Sequence, residues 1–449
     1  MKKRLILLLT MLLALCVLAA CKAGGEGSAN GATSKPKETT TVSRYESGTN
    51  YQQLPDRLSW EKVNAFPVVN ENMTIEEART LCVDFFRYAK TALWIPADTM
   101  EFIKNASGSL DEMIGGSVYG GLPYVGVASG NIYRLMDYMD PETGVVDIKN
   151  AVNEDEKYDG WKTFGNQCSI GAYWGWGRAI NSANYKWTQN CIVKNKMYRV
   201  GPYTYDDKLS TLSAKADGVN TVKILAENGR EVMFQSYAQL QPGDGMVYYT
   251  TAGHVVMISS VPVVTYREDG TIDGNRSYLT YVDQGQTWYE DGMSPEGTQF
   301  TYKGGVDTKH SFESVFNGNY MPFTFLEFMG QDPFENSEVT FSYEGGDTIS
   351  TTDLFASSVK ANYGISDVYA VVYDANGNEV YKHAVRCTQA NQKTLKLIRN
   401  QPEKSKVPQV ETWGTLGFTP GKPLTVKILV QLSTGERPTV YEGTLVQGE

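Results

Sequence analysis

The stretch GNQCSIGAYWGWGRAI, Gly165–Ile180, constrains the fold more than any other, because it sets a cysteine where a loop gives way to a helix. Phe164, Gly165, Asn166 and Gln167 read as a loop-like approach, and Ile170, Trp174, Gly177 and Arg178 follow at helical spacing. Cys168 therefore falls at a helix N-terminus, where unpaired N–H groups and the helix dipole favour a thiolate over a thiol. A second stretch supplies a base. LQPGDGMVYYTTAGHVVMIS, Leu240–Ser259, reads as a turn, a strand, a glycine-containing turn and a second strand that opens with His254. A lone cysteine in an arbitrary helix is most simply a small core residue; a histidine leading a downstream strand makes this one a candidate nucleophile.

The N-terminus carries an address. Lys2, Lys3 and Arg4 precede an apolar run from Leu5 to Val17, and Leu18-Ala19-Ala20-Cys21 follows, the arrangement of a bacterial secretory signal over residues 1–20. The Leu-Ala-Ala-Cys ending resembles a lipobox, which implies cleavage before Cys21 and lipid on its sulfur; a transmembrane helix is the weaker alternative. The expected location is the extracytoplasmic face of a membrane. Residues 21–50 hold almost no large apolar side chain and read as a flexible tether. No later stretch is apolar long enough to span a bilayer. A formal net charge of −10 argues against a nucleic-acid partner.

At 449 residues the chain is long enough for two or three domains. From Tyr51 the pattern is helical: Thr74 and Glu77 make a capping box ahead of a stripe through Leu81, Phe85, Tyr88 and Ala92. Residues 51–334 are assigned to one cysteine-bearing domain with this helical N-terminal part. Within it, Asn181–Gln239 reads as an inserted hairpin or lid containing the strand-like TVKILAE, with Tyr198, Tyr203 and Tyr205 as specificity candidates. His310, in an Asp-Thr-Lys-His-Ser context, reads as solvent-exposed. From Glu335 onward, short alternating runs such as DVYAVVYD and LTVKILVQL describe an all-β sandwich over 335–449, close in size to an immunoglobulin-like domain. Asp374-Ala375-Asn376-Gly377 fits a hairpin turn better than a calcium loop, since no glutamate closes it.

Four short segments, Leu122-Pro123-Tyr124-Val125, Cys168-Ser169, Pro242-Gly243-Asp244 and Gly253-His254-Val255, stand in the order found in the NlpC-type cell-wall cysteine peptidases, which the chain resembles. That family is papain-like and α+β, with the cysteine helix packed on an antiparallel sheet, and needs no metal or organic cofactor. The resemblance implies hydrolysis of amide bonds in peptidoglycan stem or crossbridge peptides, with Cys168 as nucleophile, His254 as base and Tyr124 placing its hydroxyl near the sulfur. An imidazole that takes a thiol proton needs a partner on its other nitrogen. On the strand ending Tyr281-Val282-Asp283-Gln284, Asp283 is the first choice and Gln284 the second, and period-2 alternation allows only one to face the site. The related CHAP amidases end a comparable strand with an acid, which favours Asp283. Gln167 stands where the family has aspartate, so its neutral amide would meet a carbonyl or oxyanion rather than an amino group. Ile170 replaces a family glycine.

Other chemistries are poorly supported. Three histidines lie in distant segments without His-Glu-x-x-His, and Cys-x-x-Cys is absent. Gly126-Val127-Ala128-Ser129-Gly130 misplaces its serine for a nucleophile elbow. Two rival functions stay open: an amidase or acyl-transfer enzyme on a non-peptidoglycan substrate, and an inactive peptidase-like binding lipoprotein.

Overall fold

The computed structural model describes residues 57–447, apart from 104–109, 114, 117, 125–129, 148–164, 184–196, 206–211, 214–217, 251, 286–298, 301–304, 388–389 and 398–421. The signal segment, Cys21 and the tether lie outside the described residues. Among the described residues no helix is long and apolar enough to cross a membrane.

Among the described residues the strands gather into four sheets of three to six strands and one two-stranded ribbon, and three helices reach nine residues. This is a propeller-like set of four sheets with few helices. It overturns the expected papain-like α+β domain followed by an immunoglobulin-like sandwich. The physical reason lies in the short elements. The two-residue strands Tyr119–Gly120, Val145–Val146 and Gln299–Phe300 join Leu93–Pro96 in a four-stranded sheet that no alternation announces. Toward the C-terminus the strands divide into a three-stranded and a five-stranded sheet, and Thr348–Ser350 pairs in parallel with Thr439–Val446. An antiparallel sandwich of the expected kind has no such pair.

The six-stranded sheet carries the site. Its order is Thr308–Ser311, Tyr278–Asp283, Gly253–Ile258, Gly245–Tyr249, Met321–Phe325 and Met197–Arg199, with every neighbour antiparallel. The helix Cys168–Trp176, wholly buried, lies between this sheet and the helix Ile75–Thr91. Glycine lets it in: a Cβ at Gly175 would sit 2.8 Å from the Met257 terminal methyl and 2.9 Å from Phe86 Cβ. The Ile75–Thr91 helix starts as the sequence predicts. Thr74 and Glu77 form the capping box, and Leu81 and Phe85 turn inward.

The expected hairpin or lid over 181–239 contains instead a helix, Thr221–Tyr237, capped by Asn220 and kinked at Gly229. Its β-branched opening imitates a strand, but Ile224, Leu225, Met233, Phe234 and Tyr237 are buried at helical spacing, and that burial outweighs local preference. Tyr203, a specificity candidate, is core: its hydroxyl donates to the Pro322 carbonyl at 2.6 Å. Asp374–Asn378 forms the hairpin turn, with Asp374 Oδ1 accepting from the Asn376 and Asn378 amides.

The C-terminal sheets have their own apolar core, yet they dock on the cysteine-bearing part through buried polar contacts. Arg134, 4 % exposed, bonds Asp367, 1 % exposed, at 3.0 Å, and its Nη2 donates to the carbonyls of Ser366 and Cys387. Ser433 Oγ donates to the Gly177 carbonyl at 2.8 Å, at the far end of the cysteine helix.

Candidate active site

Gln167 caps the cysteine helix in an extended conformation, and its carbonyl accepts from the Ile170 and Gly171 amides. Its side chain makes no cap hydrogen bond. Cys168 opens the helix and is 7 % exposed. The approach to it is held from the side, since Tyr124 bridges Asn166 and the Asn166 amide donates to the Pro123 carbonyl at 3.0 Å. The Leu122–Tyr124 segment thus borders the nucleophile, and Tyr124 itself is buried.

His254 enters from the adjacent strand, paired with Tyr248, and Val256 two residues on is opposite Asp283. That register brings the ring to the acid: His254 Nε2 and Asp283 Oδ2 are 2.7 Å apart. Asp283 occupies one ring nitrogen, and the sulfur of Cys168 lies within electrostatic reach of the ring. Burial pushes the imidazolium pKa down, but the bond to Asp283 and the influence of Cys168 outweigh it and raise it to about 10. Burial likewise raises the Asp283 carboxyl, and the bond to His254 with the nearby charges of His254, Lys90 and His310 overcomes this and holds it below its usual value. At neutral pH the pair is imidazolium and carboxylate.

Comparison with family models and with curated proteins finds no match. The chemistry of the site therefore stands on geometry. Strand parity divides the two candidates for the third group: Asp283 meets His254, while Gln284 points elsewhere, donating through Nε2 to the Leu122 carbonyl at 3.0 Å and accepting from Lys90 Nζ at 2.8 Å.

Pro242-Gly243-Asp244 is structural. Asp244 is 2 % exposed and accepts from Arg79 at 2.8 Å, from the Thr324 hydroxyl at 2.5 Å and from the Gln241 amide at 2.8 Å. The Gly243 carbonyl accepts from the Trp176 indole at 2.6 Å, and both Gly243 and Asp244 exchange backbone bonds with Ile258. One turn thereby fastens the end of the cysteine helix to the end of the histidine strand.

Several neighbours of the site escaped the sequence reading. His310, expected in solvent, is half-buried and stacks on Tyr281 with ring centroids 4.2 Å apart; the strand Thr308–Ser311 pairs with the acid strand and carries it inward. Tyr248 and Tyr320 meet edge to face at 5.2 Å and flank the His254 ring at 6.2 and 6.5 Å. Period-2 alternation alone places Tyr281 on the Asp283 face; nothing in the sequence announces Tyr320. Cys82 and Cys387 are buried, and burial pushes the thiol of Cys82 up to about 12. Among the described residues no group of three His, Cys, Asp or Glu side chains could hold a metal ion.

Gly305 completes the acid's seat. It has φ +70°, its carbonyl accepts from the Asp283 amide at 3.0 Å, and a Cβ there would overlap Asp283 Oδ1 and lie 2.7 Å from Cγ. Gly305→Ala must therefore strain the loop or displace the carboxylate from His254. The expected result is a loss of turnover of roughly tenfold to a hundredfold, because the orienting group moves while Cys168 stays in place. Steady-state kinetics beside a melting curve checks it, and unchanged turnover would mean that the carboxylate's position is unimportant.

Proposed function

We propose that the chain is a lipid-anchored, extracytoplasmic cysteine hydrolase that cleaves amide bonds, with peptidoglycan stem or crossbridge peptides as the substrate class. The single observation that carries the chemistry is the imidazole of His254 held on Asp283 at 2.7 Å, with Cys168, the first residue of its helix, within electrostatic reach of the same ring. The substrate class and the anchor rest on the NlpC-type motif order and on Leu18-Ala19-Ala20-Cys21.

In this reading His254 holds the proton of Cys168, and the thiolate attacks the amide carbonyl carbon, forming a C–S bond. Charge moves onto the carbonyl oxygen, where N–H groups at the helix start stabilise it. The imidazolium then protonates the departing amine as the C–N bond breaks, leaving a thioester. Water attacks next, His254 taking its proton, and the C–S bond breaks to release the acid and restore the pair. Asp283 holds the ring's orientation through both halves.

The test is the purified mature protein on muropeptides and on small amides, before and after iodoacetamide. Hydrolysis that disappears in step with alkylation of Cys168, mapped by mass spectrometry, is expected. Hydrolysis of small amides alone would move the substrate class. An alkylated protein as active as the untreated one would overturn the mechanism.

A further inference from the structure

We propose that Lys90 is a positioning residue of this site, its buried ammonium tying Gln284 and the Leu122 carbonyl together on one flank while its charge faces the Asp283 carboxylate. The inference rests on the reading of Cys168 as nucleophile.

Lys90 lies in the last turn of the Ile75–Thr91 helix and is 6 % exposed. An ammonium taken out of water costs several kcal/mol unless its surroundings compensate. Two groups do so here. The first is Gln284, itself 1 % exposed, whose Oε1 accepts from Nζ at 2.8 Å and whose Nε2 donates to the Leu122 carbonyl at 3.0 Å. Leu122 opens the segment that runs through Pro123 and Tyr124 and is fastened to Asn166, two residues before Cys168. Lys90 thus starts a strut that ends beside the nucleophile.

An amide oxygen cannot balance a full charge, and the second group is the carboxylate preceding Gln284. Asp283 gives Oδ2 to His254, and its Oδ1 is buried without a hydrogen-bond partner. The groups that face it are His254 from the neighbouring strand on one side, His310 from the strand on the other, Lys90 from the helix, the phenols of Tyr281 and Tyr320, and Cys168 through His254. Burial pushes His310 toward its neutral form and lowers Lys90 to about 8 against the pull of Asp283; the buried Nζ held on Gln284 Oε1 is the cation assigned to this flank. Each catalytic cycle changes the charge on His254 next to this carboxylate. A fixed cation nearby keeps the acid ionised when the imidazole is neutral.

The experiment measures the alkylation rate of Cys168 by iodoacetamide across the acid and neutral range, for full-length mature protein, Lys90→Met and Lys90→Arg, each checked by its melting curve. With the charge gone, Asp283 takes up a proton at higher pH and releases His254. The acid limb of the Lys90→Met profile is therefore expected to move up by about one pH unit or more, and Lys90→Arg to return it toward the wild-type position. A Lys90→Met profile lowered evenly at every pH with its limb unmoved, or a Lys90→Arg limb displaced as far as Lys90→Met, would overturn the proposal. Should Lys90→Met fail to fold, Gln284→Leu decides, since it cuts the strut and leaves the ammonium. Turnover of muropeptides is then expected to drop roughly tenfold with the acid limb in place, and wild-type turnover would overturn the inference. A wild-type protein whose Cys168 resists alkylation would refute the hydrolase reading, and the role of Lys90 with it; an active wild type with indifferent Lys90 variants sinks only the latter.

Discussion

Cys168→Ala is expected to abolish hydrolysis of muropeptides, and His254→Ala to reduce it on the order of a thousandfold or more. The sulfur and the imidazole act together in both halves of the reaction, so removing either leaves the other without a task. The double variant should accordingly be little slower than either single one. Asp283→Asn keeps a hydrogen-bonding group against Nε2 but removes the charge, and a loss on the order of a hundredfold is expected. Among the described residues the other cysteines, Cys82 and Cys387, are buried in packed cores, Cys82 with its Sγ 3.7 Å from the Trp176 carbonyl, and neither is placed to replace the nucleophile. Single-turnover assays on the four proteins check this. Retained hydrolysis by Cys168→Ala would end the proposed mechanism, and losses that multiply in the double variant would mean that the two residues act in separate steps.

Asp244→Ala is expected to cost about 3–5 kcal/mol of stability, because it leaves the Arg79 guanidinium largely buried without its partner. The Thr324 hydroxyl and the Gln241 amide lose an acceptor in the same step. Such a loss is a large share of the total stability of an ordinary domain. Burial itself disfavours the charged carboxyl and raises its pKa, so the pair costs desolvation as well as gaining attraction. Replacing both members, Arg79→Met with Asp244→Leu, should therefore be less damaging than Asp244→Ala alone. Denaturant titration of the three variants provides the comparison. A melt of Asp244→Ala indistinguishable from wild type would show that the Pro-Gly-Asp turn does not fasten helix to strand.

The candidate site was far more legible in the sequence than the fold. Cys168, His254 and Asp283 each announce themselves locally: a loop-to-helix change, a residue after a glycine turn that opens a strand, and an acid at a strand end. Sequence order then sets them in line, and the likeness to the CHAP amidases, not strand parity, favoured Asp283. Gln284 could not be placed by the same means, because both it and Asp283 end the strand and parity gives opposite faces without saying which face is inside. Lys90 and Gln284 are 194 positions apart, and a lysine in the last turn of an amphipathic helix looks like ordinary solubility. His310 was misread for a related cause: its neighbours Asp307 and Lys309 are polar, yet pairing with the acid strand turns the ring onto Tyr281. The fold class failed where strands are too short for periodicity to register, as at Tyr119–Gly120 and Val145–Val146, and where a parallel edge pair breaks the antiparallel expectation.

The bond from Ser433 to Gly177 puts the foundation of the nucleophile in a stretch of chain synthesised after both Cys168 and His254. While the ribosome still holds that stretch, Cys168 and His254 are already made, but the far end of the cysteine helix lacks its footing and the Arg134 guanidinium lacks Asp367. Maturation of the site is thereby linked to synthesis of the β-sheets that follow it.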